Sequence, residues 1–305
     1  MSAAREHDMG KAGLRGRLLL DEPMSRHVTW RVGGPADRFY VPADAEDLAA
    51  YLATLAPDEP VFWLGLGSNL LVRDGGLRGS VIATALALGH MERIDDGLRV
   101  EAGVPCARVA RAAADAGLEG AEFLVGIPGT MGGALAMNAG AFGGETWSLV
   151  TAVETVDRHG VRRLRGSGDY RIGYRSVEGP AGEWFLAAHL GLRSGDGAAA
   201  RERIRDCLRR RTETQPTGVA SCGSVFRNPP GDHAGRLIEA AGLKGYCIGD
   251  ACVAEKHANF ILNRGGARAR DIEALIAHVQ AVVEQTSGIR LRPEVHIVGE
   301  HGEER

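Results

Sequence analysis

The sequence predicts an α+β protein of three lobes, and three observations predict it. Strand-like runs outnumber helical ones after residue 90, which disfavours a doubly wound sheet. The helical runs that do occur carry capping residues and apolar spacing of period 3.6. Glycine supplies 43 of the 305 residues, about twice the usual share. With no three-residue period, these glycines must serve turns or close backbone approach to something bound.

Residues 1–21 are charged and aperiodic, so a flexible N-terminal extension is expected, with structure beginning near Met24. Residues 22–90 read as the first lobe. A strand at 37–41 precedes Asp44, which caps a helix with an apolar face of Leu48, Tyr51, Leu52 and Leu55; Pro57 ends it. Strands follow at 61–64, 70–72 and 80–84. Residues 91–200 read as the second lobe. Its strand 98–102 leads to a helix opened by Pro105, with Val109, Ala110 and Ala113 inward and Gly117 as the stop. Strands are expected at 149–156, 161–164 and 184–192.

Residues 201–305 read as the third lobe. An arginine-rich helix over 198–211 runs into the break Gln215-Pro216-Thr217-Gly218. A short helix ends at Gly242, and a strand covers 259–263. In a helix over 272–286, Ile272, Leu275, Ile276, Val279, Val282 and Val283 recur at helical spacing, and Gly288 closes it. A final strand is expected over 290–298.

The formal charge of −3 excludes a general nucleic-acid binder, which carries a basic excess. No apolar run approaches the roughly 18 residues that cross a bilayer. The first twenty residues mix Arg, Glu, His, Asp and Lys, so no secretory leader is expected and a cytoplasmic location is. Cys106, Cys207, Cys222, Cys247 and Cys252 form no C-x-x-C pair and lie near no histidine cluster. They read as five reduced thiols, and no metal site is expected.

Two glycine segments carry the chemistry. Gly65-Leu66-Gly67-Ser68-Asn69 follows a predicted strand, where backbone amides meet a phosphate without side chains in the way. It is not a dinucleotide fingerprint, since Leu70 stands at the third glycine and a strand follows; nor is it a Walker loop, since the chain has no G-K-[ST]. On its residues alone it remains equally a tight turn. The second segment, Gly126-Ile127-Pro128-Gly129-Thr130-Met131-Gly132-Gly133-Ala134, has almost no side-chain area to bury. A close structural crossing or an approach to a large flat or anionic ligand both suit it. Two such loops on successive lobes suggest a dinucleotide bound between them.

These segments resemble the UDP-N-acetylenolpyruvoylglucosamine reductase family. The resemblance rests on residues 29–37 (TWRVGGPAD), 65–72 (GLGSNLLV), 127–145, Gly173-Tyr174-Arg175, 222–229 (CGSVFRNP), 241–263 and Arg292-Pro293-Glu294-Val295, in order over nearly the whole chain. It implies a two-lobed FAD-binding domain of the vanillyl-alcohol-oxidase kind and a C-terminal substrate lobe, in the shorter form of the family. FAD bound tightly but not covalently, NADPH as co-substrate and a monomer are implied with it. The cofactor residues carried over are Arg31, Gly65, Leu66, Gly67, Ser68, Asn69, Leu70, Pro128, Gly129, Thr130, Gly133, Ala134, Asn138 and Ala139.

The implied reaction adds hydride to the terminal carbon of an enolpyruvyl ether and a proton to its neighbour, with charge building on the conjugated carboxylate. A fixed cation or donor there is worth about 3 kcal/mol, and a positioned acid must supply the proton. Arg175 matches the family's cation, Ser224 its proton donor and Glu294 its third catalytic residue. Strand alternation would put Leu291, Val295 and Ile297 on one face and expose Glu294 on the other. For the UDP-sugar the matching positions are Tyr174, Asn228, Lys244, His257 and Asn259, with Arg211 set against the diphosphate.

The chain departs from the family where Ser176 precedes Val177 and where Val253-Ala254 replaces Val-Ser. A different flavin oxidase on the same fold would keep both loops without needing Ser224, Arg175 and Glu294 together. A UDP-sugar-binding protein without turnover would be indifferent to Ser224→Ala.

Overall fold

The computed structural model describes residues 5–7, 13–95 and 97–302; residues 1–4 and 8–12 of the expected extension lie outside the described residues. Arg17–Pro23 is already a strand, upstream of the expected start near Met24. It pairs antiparallel with Pro35–Val41, setting Leu18 opposite Tyr40 in one core. The run R-L-L-L lacks the alternation that would have marked it as a strand.

The first lobe's sheet has the order Arg5–His7, Arg17–Pro23, Pro35–Val41, Leu77–Ala83, Val61–Leu64, and its last two pairings are parallel. Helix α1, Ala45–Thr54, makes the crossover. The Asp44 carboxylate accepts the Glu46 and Asp47 N–H groups, and Leu48, Tyr51 and Leu52 are buried as the spacing predicts. The loop from Gly65 therefore leaves the carboxyl end of a parallel strand, where open α/β sheets bind ligands.

The second lobe's sheet is antiparallel, in the order Arg162–Gly166, Val150–Asp157, Glu183–Gly191, Gly97–Glu101, Met91–Ile94. Helix α2, Cys106–Asp115, buries Val109, Ala110 and Ala113 against it. No sequence signal marks α3, Met131–Met137, whose two glycines each cost about 1 kcal/mol relative to alanine. Burial of Met131, Ala134 and Leu135 in the second core outweighs that cost. Helix α4, Gly197–Thr214, buries Ala200 and Ile204 in the same core, so a boundary at residue 201 would cut it. By packing, the third lobe starts after the Gln215 break.

In the third lobe, α5, Ala234–Ala240, and α6, Ala269–Ser287, cover the three-stranded sheet Cys247–Ile248, Ala251–Val253, Ile261–Asn263. Ile272, Leu275, Ile276, Val279 and Val283 are buried and Gly288, at φ +71°, closes α6. Of the long strand expected over 290–298, only His296–Val298 forms, parallel to Leu70–Val72 of the first lobe. Pro293, which has no N–H to donate, makes a single bridge to Phe226. Trp30 also joins these lobes: its Nε1 donates to the Ile261 carbonyl at 2.8 Å, and Asn263 Nδ2 donates to the Trp30 carbonyl at 2.8 Å.

The cysteine expectation fails at one pair. Cys247 and Cys252 face each other across a hairpin closed by Gly249-Asp250 and are joined as a disulfide, while Cys106, Cys207 and Cys222 are free. Among the described residues no helix is long and apolar enough to cross a membrane, and no His, Cys, Asp and Glu cluster could hold a metal.

Candidate active site

A cleft of about 1000 Å3 lies where the three lobes meet. One wall is the segment Gly65, Leu66, Gly67, Ser68, Asn69, Leu70; a second is Pro128, Gly129, Thr130, Gly133, Ala134 and Ala139; Arg175, Arg211, Ser224 and Glu294 complete it. Residues as far apart in sequence as Gly65 and Glu294 thus share one cavity, as the two-loop reading requires.

The glycines divide into two uses. A β-carbon at Gly65 would lie 2.5 Å from Thr130 Oγ1, and Gly67 has φ +61° with a β-carbon position 2.3 Å from the His27 carbonyl. Both loops are therefore packed against other backbone and against each other. The second segment is laced to residues 102–106: Cys106 N–H donates to Gly129 O at 2.9 Å, and Gly132 N–H donates to Ala102 O at 2.8 Å. The crossing explains Gly132, whose β-carbon would strike Ala102 Cβ at 2.9 Å. It does not explain Gly129 and Gly133, whose nearest neighbours would be 3.5 and 3.8 Å away. A β-carbon would fit at either in ordinary contact, and both glycines line the cleft.

Arg175 stands second in the two-residue turn between the strands Arg171–Gly173 and Ser176–Glu178, at φ +52°. A non-glycine residue held there stores about 1–2 kcal/mol of strain. Its Nη1 donates to the Asn138 carbonyl at 3.3 Å and Nη2 to the Gly140 carbonyl at 2.9 Å. Nε lies 3.0 Å from Glu294 Oε1, but its N–H is not aimed along that contact and makes no hydrogen bond. The pair is electrostatic, with the guanidinium plane set by the two carbonyls.

Glu294 is not exposed as alternation predicts: the local strand is missing, and its side chain is 12% accessible. Burial pushes its carboxyl above the ordinary range, opposed by the charges of Arg175 and Arg227. Asn69 Nδ2 donates to the Glu294 carbonyl at 3.1 Å, and the Glu294 N–H donates to the Val225 carbonyl at 2.7 Å. The Asn69 side chain thus ties the glycine loop to the Glu294 backbone, which in turn pairs with Val225, the residue after Ser224. Among the described residues none hydrogen-bonds the Ser224 hydroxyl, which lines the cleft.

Several expected site residues fall elsewhere. Arg31 sits in an exposed turn at φ +58°. Asn138 is buried in the left-handed region; its amide donates to Glu145 and Gly173 and accepts the Trp147 N–H. Tyr174 is 53% exposed, its ring 5.4 Å from the Arg175 guanidinium carbon. Asn228 accepts the Ala234 N–H, and Lys244 is paired with Glu239 at 2.6 Å. His257, its proton affinity lowered by burial, accepts the Asn259 N–H at 3.3 Å. Asn259 is buried against Phe226. None of these seven lines the cleft.

Sequence reasoning missed Arg227, whose Nε is buried without a partner and whose charge acts on Glu294. Its place beside Ser224 in C-G-S-V-F-R-N-P was the available signal. Arg211 is the other notable cation: half-buried, with a buried and unpartnered Nε, and with its proton affinity lowered by burial. An uncompensated guanidinium calls for an anion. The cleft is at the upper end of the roughly 300–1,000 Å3 typical of ligand pockets. Two loops rich in backbone on one cleft, with room beside Gly129 and Gly133, suit a dinucleotide such as FAD.

Comparison with known proteins agrees with this geometry. Residues 36–165 match the family model described as FAD binding domain, and residues 215–298 match that of the UDP-N-acetylenolpyruvoylglucosamine reductase C-terminal domain. The chain is 61% identical over 285 residues to the UDP-N-acetylenolpyruvoylglucosamine reductase of Alkalilimnicola ehrlichii, covering 93% of this chain and 96% of that protein. Against the Methylococcus capsulatus protein of the same name, identity is 60% over 287 residues, covering 94% of each. The crystal structure of UDP-N-acetylenolpyruvylglucosamine reductase from Thermus caldophilus superposes with a TM-score of 0.79 at 34% identity, over 93% of this chain and 99% of that one.

Proposed function

The chain belongs to the UDP-N-acetylenolpyruvoylglucosamine reductase family, and from that premise we propose that Ser224, Arg175 and Glu294 carry its reaction. The enzyme is an NADPH-dependent flavin oxidoreductase that reduces UDP-N-acetylglucosamine enolpyruvate to UDP-N-acetylmuramate in peptidoglycan synthesis. FAD, when bound, supplies the hydride relay between NADPH and substrate. We place it against Gly65–Leu70 and Pro128–Ala134, the two walls of the cleft that present backbone and small side chains.

Each side chain then has a task set by charge. Arg175 offers a fixed cation to the substrate carboxylate, where negative charge grows as the terminal carbon takes hydride. Ser224 gives its hydroxyl proton to the adjacent carbon, completing the saturated lactyl ether. Its alkoxide is a strong base, so it takes a proton back from solvent or a neighbour before the next turnover. Glu294, whose proton affinity burial raises, in its protonated form donates a hydrogen bond to the developing charge instead of repelling it.

For the nucleotide-sugar, this reading keeps Arg211 as countercharge to a diphosphate and Tyr174 at the mouth of the cleft. Asn228, Lys244 and His257 are contacts offered by the third lobe from outside it. A monomer acting in the cytoplasm is part of the same reading.

The observation that carries the proposal is the meeting of Ser224, Arg175 and Glu294 on one cleft with both glycine loops. Anaerobic reduction with NADPH, followed by addition of the enolpyruvyl substrate, tests it. Flavin absorbance should return at once in the native protein and very slowly in Ser224→Ala. A Ser224→Ala protein that reoxidises at the native rate rules the assignment out.

A further inference from the structure

Asn259 is 3% exposed and each of its polar atoms is engaged. Its Oδ1 accepts the Phe226 N–H at 3.0 Å and its Nδ2 donates to the Phe226 carbonyl at 2.8 Å. Its own carbonyl accepts the Val225 N–H at 2.9 Å. Along the opposite edge, the Val225 carbonyl accepts the Glu294 N–H at 2.7 Å, and Arg227 N–H donates to Arg292 O at 2.9 Å. Residues 225–227 are therefore laced between Asn259 on one side and residues 292–294 on the other.

On the amino-terminal side of Ser224 the restraint is weaker. Gly223 has φ +78° and nothing packed within 4 Å of its β-carbon position. The place of the serine hydroxyl is thus fixed chiefly from Val225 and Phe226 onward. We propose that Asn259 is a positioning residue that sets Ser224 at the reacting carbon, instead of touching the nucleotide-sugar. This rests on the reading of Ser224 as proton donor.

The test separates the two half-reactions by anaerobic rapid mixing on the FAD-loaded enzyme. NADPH reduction does not use the serine; reoxidation by the enolpyruvyl substrate does. Asn259→Ala should slow reoxidation about 10–100-fold, the scale of a misplacement near 1 Å, and leave NADPH reduction unchanged. In a Ser224→Ala background the same substitution should slow reoxidation no further, because the group it positions is gone.

Asn259→Asp covers the case in which the alanine variant does not fold. A protonated aspartic acid can still accept from Phe226 N–H and donate to Phe226 O; the ionised form cannot donate. Its reoxidation deficit, taken relative to the native enzyme at each pH, should therefore grow as pH rises. The proposal is overturned if both half-reactions slow together, if the double variant shows the full additive loss, or if the aspartate variant has no deficit at any pH. Ser224→Ala alone reoxidising normally would instead sink the underlying proton-donor reading.

Discussion

Arg175 Nε and Glu294 Oε1 lie 3.0 Å apart without a hydrogen bond between them, while both Nη atoms of Arg175 donate to backbone carbonyls. The cation is therefore oriented by the Asn138 and Gly140 carbonyls, and Glu294 is a neighbour it attracts without holding. A lysine would keep the charge but could not make the fork of two donors. Arg175→Met should lower single-turnover reoxidation about 10²–10³-fold, with Arg175→Lys recovering only part. NADPH reduction should be unchanged in both. A methionine variant that reoxidises at the native rate would remove Arg175 from the mechanism.

The carboxyl of Glu294 makes a second prediction about pH. Burial raises its proton affinity and the Arg175 and Arg227 charges lower it, with burial prevailing. The working protonated form is then lost as pH rises through a value above the ordinary carboxylate range. Reoxidation should fall along that limb, and Glu294→Gln, which cannot ionise, should flatten it. Arg227→Met removes one of the lowering charges, so the limb should move to higher pH. Displacement to lower pH would contradict the charge arrangement.

How much of this was legible depended on whether the signal was local. Helix α1 was readable because Asp44, Leu48, Tyr51 and Leu52 declare cap and face within ten residues. Helix α3 was not, because M-G-G-A-L-A-M is a poor helix former and only burial in a distant core makes it one. The resemblance offered Asn259 as a contact to the nucleotide-sugar and could not show that its amide faces Phe226, 33 positions away. Glu294 was expected on an exposed strand face; a proline and a single bridge leave no strand there to alternate. The contacts that assemble the site join residues such as Asn69 and Glu294, separated by 225 positions, and no periodicity encodes those.

The Cys247–Cys252 bridge predicts a thiol count. The overlooked sign was Gly249-Asp250, a two-residue hairpin turn that sets the flanking cysteines opposite each other. Titration of the denatured, unreduced protein should find three thiols, those of Cys106, Cys207 and Cys222, and five after reduction. Five at the outset would restore the reduced reading. The bridge spans only five positions, so Cys247→Ser should cost at most about 2 kcal/mol in denaturant unfolding.

The second lobe's sheet holds a charge cluster that should matter to stability and not to turnover. Arg99 Nε and Nη2 donate to the two carboxylate oxygens of Glu154 at 2.6 and 2.8 Å, and His189 Nε2 lies 3.0 Å from Oε1. The Arg99 hydrogen bonds chiefly hold the Glu154 carboxyl down at about 2, against the opposing effect of burial. A carboxylate with its folded value depressed stabilises above its ordinary value near 4.5 and loses that contribution as pH falls toward about 2. The side chain is 18% accessible, so little is lost to solvent screening and the contribution is on the order of 2–3 kcal/mol. Glu154→Gln should therefore be less stable in urea unfolding at neutral pH, and its deficit should shrink between about pH 5 and pH 2. Both half-reactions should proceed at native rates, since Glu154 lies outside the cleft lining. A deficit that stays constant across that range would mean that Arg99 and His189 contribute packing to the sheet and no charge.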